Sequence, residues 1–229
     1  MAIEVKTTRQ LAVSSGAKCL SYGAAGSGKT SFCATAPNPL IISAESGLMS
    51  IRDKDIPVIE VKEIKDVHDA YDWCVNNAQK YGIQTICLDS ISEIAEKCLA
   101  AEKAKTKDPR AAYGELSNEI IKLVKKFRDL QGFNVIITAK QTVATDPITG
   151  VAKAAPTAPG QQIGPALPYL FDFVFHHATE KDAQGMTYHY LRTKAAFNAE
   201  AKDRSGILDE IEYPDFANIL RKVFPPVSA

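Results

Sequence analysis

An eight-residue segment at residues 23–30, GAAGSGKT, constrains this chain more than any other feature. It matches G-x-x-x-x-G-K-[ST] at every position, after an apolar run at 18–22 and before a helix-like segment at 28–36. Glycines let backbone amides converge on phosphate oxygens, and a helix N-terminus adds its positive dipole end. The alternative is a glycine-rich turn that binds nothing. The complete motif and its flanks favour a site for ATP or another nucleoside triphosphate.

The motif assigns roles to individual residues. Lys29 would contact the β and γ phosphates, and the Thr30 hydroxyl would ligate Mg²⁺. The metal also needs an acidic partner, and Asp89 ends the apolar run 85–88, where it would face Mg²⁺ directly or through water. The alternative is that Asp89 caps the helix after Ser90. The expected nucleotide-binding residues are Gly23, Ala24, Ala25, Gly26, Ser27, Gly28, Lys29, Thr30 and Ser31.

Hydrolysis requires a base that orients and polarises water. Glu45 follows the apolar run 40–43 and is the best candidate at the predicted sheet edge. If that strand lies beside the strand 18–22, which precedes the phosphate-binding loop 23–30 (the P-loop), the Glu45 carboxylate faces the γ-phosphate. The alternative is a solvated loop acid.

The order of predicted elements indicates an α/β fold. The chain has 229 residues, 45% of them apolar, enough for one α/β domain or at most two small ones. Alternating strands and helices predict a mostly parallel sheet with helices on both faces. The predicted strands are 18–22, 40–43, 58–61, 85–88 and 134–138, followed by a late antiparallel pair at 171–176 and 187–192. The predicted helices are 28–36, 66–81, 90–103, 111–130 and 214–223, the last ending at Pro225 and Pro226.

Composition limits where the protein acts. Acidic and basic residues number 27 each, so no global field attracts nucleic acid. The five cysteines form no CxxC pair, which favours reduced, buried thiols in a cytoplasmic protein. The N-terminus lacks the apolar core of a signal peptide, and no run of about 18 apolar residues predicts a membrane span.

Residues 142–168 are rich in proline and glycine, and 146–150 (DPITG) predict a turn and a small projecting hairpin. Lys153 is the only basic residue of this segment, and no aromatic residue precedes Tyr169, so a stacking platform is not visible. The basic residues from Lys97 to Arg110 and from Lys122 to Arg128 are most simply solvated helix faces. His176 and His177 lack partners at ligand spacing and are expected to be structural.

Taken together, these motifs resemble the RecA/DnaB superfamily of P-loop ATPases. Residues 42–48 resemble the element that carries the catalytic glutamate of that family, and Asp89-Ser90 resembles its Walker B end. The resemblance implies that Gln141, or Lys140 beside it, senses the γ-phosphate. It also implies that Lys202 and Arg204, in the segment KDRSG, complete the ATP site of a neighbouring subunit. A homo-oligomer with ATP at the subunit interface follows from that role.

Residues 15–222 resemble a narrower group, the small phage-encoded RecA-like ATPases of the Sak single-strand-annealing type. This resemblance implies a single RecA-like ATPase domain with residues 142–168 as its DNA-binding loop. It implies an ATPase stimulated by single-stranded DNA, acting in phage recombination, annealing or replication in the bacterial host cytoplasm. A phage single-strand-binding protein is a further expected partner. The alternatives are a P-loop kinase of a small molecule and a nucleotide-gated accessory protein with little hydrolysis.

Overall fold

The computed structural model describes residues 5, 7–45, 47–145 and 148–225. The strands in this part of the chain are β1 Lys18–Gly23, β2 Pro39–Ser43, β3 Val58–Glu60, β4 Thr85–Asp89, β5 Asn134–Thr145, β6 Ala152–Thr157, β7 Phe173–Lys181, β8 Thr187–Arg192, β9 Lys202–Asp203 and β10 Ile211–Glu212. The helices are α1 Thr8–Ser15, α2 Lys29–Cys33, α3 Ile64–Asn77, α4 Ile91–Lys105, α5 Pro109–Arg128, α6 Ile163–Ala166 and α7 Phe216–Val223, with 3₁₀ turns at Leu48–Ile51 and Leu167–Leu170. None of these helices is long and apolar enough to cross a membrane.

The strands form one sheet in the order β10-β8-β7-β1-β5-β4-β2-β3, with β6 paired to β5 and β9 paired to β7. The strands from β7 to β3 along this order are parallel to their neighbours. The strands β8 and β10 extend the sheet antiparallel beyond β7. The predicted α/β class, with a mostly parallel sheet and a late antiparallel pair, is therefore confirmed.

Alternation along the central strands fills a core on each face of the sheet. Tyr22 and its neighbour in alternation, Leu20, pack with α3, α4 and α5 in the larger core. Cys19 points to the other face and packs with Phe32 of α2 and Ile219 of α7 in the smaller core. Helices thus cover both faces, as predicted. All five cysteines are free and buried, which agrees with the expected buried thiols.

The strand before Glu45 does not lie beside the P-loop strand, so the condition attached to the role of Glu45 is not met. The strands β5 and β4 lie between β1 and β2. Strand β4 is buried throughout and β5 is buried from Val135 to Ala139, as strands at the centre of a parallel sheet are, whereas β3, next to β2, is partly exposed and forms the edge. Ser43 nevertheless pairs with Asp89, so β2 brings Glu45 to the end of β4.

The segment 142–168 is not an irregular loop. The strand β5 continues to Thr145 and pairs antiparallel with β6, from Lys140 opposite Thr157 to Thr145 opposite Ala152. The predicted hairpin is confirmed, and its predicted turn residues Asp146 and Pro147 lie outside the described residues. The backbone pairing of β5 with β6 gives this proline-rich stretch a regular structure. The remainder forms α6 and the 3₁₀ turn that follows it.

At the amino end of β1, Lys18 is 3% exposed. Its ammonium donates hydrogen bonds of 2.8 Å to the carbonyl oxygens of Leu130 and Phe133, which follow the end of α5. Burial lowers the pKa of Lys18 to about 8, although Asp129 and Asp172 oppose the shift.

The helix α1, which the sequence did not predict, precedes this residue and begins with a capping box between Thr7 and Gln10.

Candidate active site

The P-loop joins the carboxyl end of β1 to α2. Gly26 and Gly28 adopt positive φ angles of 73° and 94°, which only glycine takes without strain, and Gly28 is the N-cap of α2. A Cβ on Gly23 would lie 2.5 Å from Ser27 Oγ and 2.8 Å from the His177 carbonyl oxygen. The loop therefore requires glycine at these positions. Ala24 and Ala25 of the loop and Ser31 of α2 are exposed.

Thr30 and Asp89 meet as the motif predicts. The Thr30 hydroxyl donates a hydrogen bond of 2.6 Å to Asp89 Oδ2. Asp89 is 2% exposed, so the carboxylate depends on such donors. Thr138, on β5, donates a hydrogen bond of 2.5 Å to the other oxygen, Oδ1. The cap of α4 is Ser90 and not Asp89, so the alternative role for Asp89 is wrong.

Lys29 lies within the P-loop, and its ammonium donates to the carbonyl oxygens of Gly23 and Ala24 at 3.0 and 2.9 Å. Burial lowers the pKa of Lys29, while the nearby carboxylates of Glu45 and Asp89 oppose that shift. A partly buried ammonium that is held by carbonyl oxygens is suited to exchange them for phosphate oxygens.

Glu45 lies beside Asp89 and is partly buried. Its backbone amide donates to the Asp89 carbonyl oxygen at 3.3 Å, and its carboxylate accepts a hydrogen bond from the Ser90 hydroxyl. A cavity of about 370 Å³ opens next to Glu45 and is also lined by Glu60, Lys62 and Lys97. The following residue, Ser46, which the sequence analysis placed in the same element, lies outside the described residues.

Polar side chains of β1 and β7 lie next to the P-loop, at Ser21 and His177. His177, on β7 opposite Gly23, is 2% exposed, and its Nε2 lies 2.6 Å from Ser21 Oγ. Its ring also contacts Phe32 of α2 edge to face, with ring centroids 5.2 Å apart. Burial and the nearby Lys29 lower the pKa of His177 to about 3, so the imidazole is neutral at physiological pH. The predicted structural role of His177 agrees with these contacts.

Residues 15–205 match the family described as AAA domain, AAA_24. The chain belongs to this AAA domain family. Among curated proteins, none matches the sequence. Among solved structures, the KaiC-like protein PH0186 from the archaeon Pyrococcus horikoshii OT3 is similar with 13% sequence identity, 77% of each chain covered and a TM-score of 0.42.

Membership makes this chain a P-loop domain of the AAA type, which implies nucleotide binding. The residues of the AAA domain fit such a ligand, because the glycine-lined loop has no space for a Cβ at Gly23 and α2 begins within it. The oxygen atoms of Thr30 and Asp89 are the donor types that Mg²⁺ prefers. The arrangement can hold a triphosphate next to two carboxylates, those of Asp89 and Glu45.

The structure places the Gln141 side chain of the AAA domain beside His176 of β7. Its Oε1 lies 2.9 Å from His176 Nε2, and the His176 ring stacks on Tyr22 with centroids 5.0 Å apart. Tyr22 packs in the larger core, whereas α2 packs in the smaller one. The neighbouring Lys140 forms ion pairs with α4. The assignment of either residue as a γ-phosphate sensor remains a prediction.

Lys202 and Arg204 lie towards the amino ends of the parallel strands, whereas the P-loop of their own chain lies at the carboxyl ends. Lys202 pairs with Val174 near the start of β7, whereas Gly23 pairs with His177 further along that strand. The Lys202 ammonium donates to the Pro168 carbonyl oxygen, and Arg204 forms an ion pair of 2.9 Å with Asp172. Their role in a neighbouring subunit stays a prediction.

Sequence reasoning missed Thr138 and Ser21 as parts of the site, and it included Ser90 in the Walker B resemblance without its contact to Glu45. Thr138 carried a usable signal, because a polar residue at the end of a buried parallel strand meets the end of the adjacent strand, here β4. Ser21 and His177 are 156 residues apart and gave no such signal.

Proposed function

We propose that this AAA domain is a RecA-type ATPase that hydrolyses ATP with Mg²⁺ and is stimulated by single-stranded DNA. The observation that carries hydrolysis is the convergence of Lys29, Asp89 and Glu45 at the carboxyl ends of β1, β4 and β2. A phosphate-binding lysine, a metal-binding carboxylate and a second carboxylate for water are the parts that hydrolysis requires.

The P-loop amides and Lys29 would hold the β and γ phosphates, while Thr30 and Asp89 would hold Mg²⁺, which neutralises phosphate charge when bound. Glu45 accepts a proton from water as the water oxygen forms its bond to the γ-phosphorus. The bond between the γ-phosphorus and the β,γ-bridging oxygen breaks, and ADP and phosphate are released. Thr138 holds Asp89 in place throughout through its hydrogen bond to Oδ1.

The β5–β6 hairpin is the proposed DNA-binding element. Lys153 is exposed on β6, and the neighbouring turn at residues 196–199 joins the same strand. Ala154 on β6 donates to the Asn198 carbonyl oxygen at 2.8 Å and accepts from the Glu200 amide at 3.0 Å. Phe197, at this turn, is 79% exposed. It supplies an aromatic surface for base stacking that the segment 142–168 lacks in sequence.

The proposed assembly is a homo-oligomer in which Lys202 and Arg204 of one subunit reach the ATP of the next. The position of both residues at the far edge of the sheet supports this arrangement, because a residue that serves a neighbour must lie away from its own P-loop. Charge on the transferring phosphoryl group is stabilised by such cations. The wider role, in phage DNA recombination, annealing or replication, is proposed from the resemblance of residues 15–222 to small phage-encoded RecA-like ATPases.

The test compares ATP turnover of the unaltered protein with that of Glu45→Gln and Glu60→Gln. Glu60 lines the same cavity and is the matched control. We expect Glu45→Gln to reduce kcat by about 100-fold or more while ATP still binds, and Glu60→Gln to retain turnover. Single-stranded oligonucleotide at low salt is expected to raise kcat. Unchanged turnover in Glu45→Gln would remove hydrolysis through this residue, and a rate independent of oligonucleotide would remove the DNA role.

A further inference from the structure

The first turn of α4 lies between Glu45 and the β5–β6 hairpin. Ser90, the N-cap of α4, is fully buried. Its hydroxyl donates to Glu45 Oε1 and accepts a hydrogen bond of 3.3 Å from the Glu93 amide. One hydroxyl therefore both caps the helix and holds the carboxylate, so a shift of the helix start moves the donor that orients Glu45.

Ser92, two residues along, contacts the hairpin. Its side chain is 1% exposed, accepts a hydrogen bond of 2.8 Å from the Lys140 amide and donates one of 2.6 Å to the Thr157 carbonyl oxygen. Lys140 and Thr157 are opposite each other at the base of the β5–β6 ladder. A single buried hydroxyl thus joins both hairpin strands to the first turn of α4.

Charge strengthens the same junction. The Lys140 ammonium forms ion pairs with Glu93 and with Glu96, the latter at 2.7 Å. Glu93 is also the residue whose amide bonds to Ser90. The hairpin base, the start of α4 and Glu45 are therefore connected by consecutive polar contacts, and a displacement at one end alters the geometry at the other.

We propose that Ser90 and Ser92 are positioning residues through which the β5–β6 hairpin sets the orientation of Glu45. The inference rests on the proposed roles of Glu45 and of the hairpin. Single-stranded DNA on the hairpin shifts Lys140 and Thr157, Ser92 passes the shift to α4, and Ser90 turns the Glu45 carboxylate relative to the γ-phosphate. Stimulation of turnover is thereby built into the chain itself.

The Ser90 contact is tested without nucleic acid. Ser90→Gly removes the hydroxyl, and glycine is nearly as good an N-cap as serine, whereas Ser90→Thr keeps the hydroxyl. We expect Ser90→Gly to lower kcat about tenfold or more with KM for ATP within about twofold, and Ser90→Thr to restore most of kcat. Affinity for ADP with aluminium fluoride, which mimics the transition state, should fall in Ser90→Gly while affinity for a non-hydrolysable ATP analogue is retained. A kcat equal to that of the unaltered protein in Ser90→Gly would overturn the inference.

The relay is tested by a double-mutant cycle that combines Ser90→Gly with Ser92→Ala. If both residues act through Glu45, the single substitution Ser92→Ala lowers both kcat and the stimulation by oligonucleotide. In the Ser90→Gly background, the same substitution lowers kcat further by less than about twofold. Multiplied effects of the two substitutions would overturn the relay. Lys140→Met, at a side chain that is 42% exposed, repeats the cycle with a variant that keeps the buried contacts of Ser92.

The failures are distinguishable. If Glu45→Gln retains turnover, the proposed hydrolysis mechanism fails and the relay with it. If Glu45→Gln abolishes turnover but Ser90→Gly does not lower it, only the positioning inference fails. If oligonucleotide has no effect on the unaltered protein, the DNA role of the hairpin and its part in the relay fail, while the cycle in basal turnover still decides the coupling of Ser92 to Glu45.

Discussion

The buried imidazole of His177 is expected to make the fold sensitive to mild acid. Burial and Lys29 lower its pKa from the ordinary 6.5 to about 3, so the folded chain keeps it neutral at pH 5. The unfolded chain takes up a proton on this residue as the pH falls below 6.5, which favours unfolding. At 1.36 kcal/mol per pKa unit, the loss in unfolding free energy between pH 7 and pH 5 through His177 is about 2 kcal/mol. Above pH 6.5 the unfolding free energy is not reduced through His177. Below pH 6.5 it falls continuously until the pH reaches about 3.

The assay is urea unfolding at pH 7 and pH 5 of the unaltered protein and of His177→Gln. Glutamine reaches towards Ser21 as the imidazole Nε2 does, but it does not titrate. His177→Gln is therefore expected to lose about 2 kcal/mol less than the unaltered protein over this pH range. His68→Gln, at a partly exposed residue paired with Glu119, is the control. If His177→Gln and the unaltered protein lose the same free energy, the reasoning that the buried ring stays neutral is refuted.

Three further predictions concern the P-loop and its support. Lys29→Ala removes the ammonium of the loop and should weaken ATP binding about tenfold or more, measured by calorimetry, with little change in unfolding free energy. Gly23→Ala should abolish nucleotide binding, because its Cβ collides with Ser27 and with the strand opposite, whereas Gly114→Ala, in a helix with open space around it, should stabilise the fold by about 0.5–1 kcal/mol in urea unfolding. Thr138→Val leaves Asp89 Oδ1 without its donor and should cost about 1–3 kcal/mol of unfolding free energy, while Thr138→Ser should cost less. Tight ATP binding by Gly23→Ala, or equal stability of the two Thr138 variants, would contradict these readings.

Local signals were sufficient to identify the P-loop and to place Asp89 beside it. The glycine pattern, the apolar run before it and the strand-ending Asp89 are all read within a few residues, and the structure joins Thr30 to Asp89 as expected. Glu45 was selected for a reason that is only partly right. Its strand is separated from β1 by two others, and the residue reaches the site because Ser43 pairs with Asp89.

Long-range pairing explains what the sequence did not reveal. Strand order depends on which apolar strands pair with each other. The apolar content of β2, β4 and β5 is similar, so it does not indicate which of them pairs with β1. The extension of β5 to Thr145 lies in a stretch of low apolar content, where alternation gives a weak signal. The contact of the Phe197 turn with β6 joins segments more than 40 residues apart, so an aromatic residue absent from 142–168 in sequence is beside it in space.

The ammonium of Lys18 gives the amino edge of the sheet a chemical reporter. In the folded chain the amine is covered and engaged by the Leu130 and Phe133 carbonyl oxygens, so an acylating reagent reaches it only when that edge opens. Opening exposes the amine to the reagent and removes the burial that lowers its pKa to about 8. The rate of acylation at Lys18 therefore measures how often the end of α5 moves away from the amino end of β1, the end of this strand opposite the P-loop.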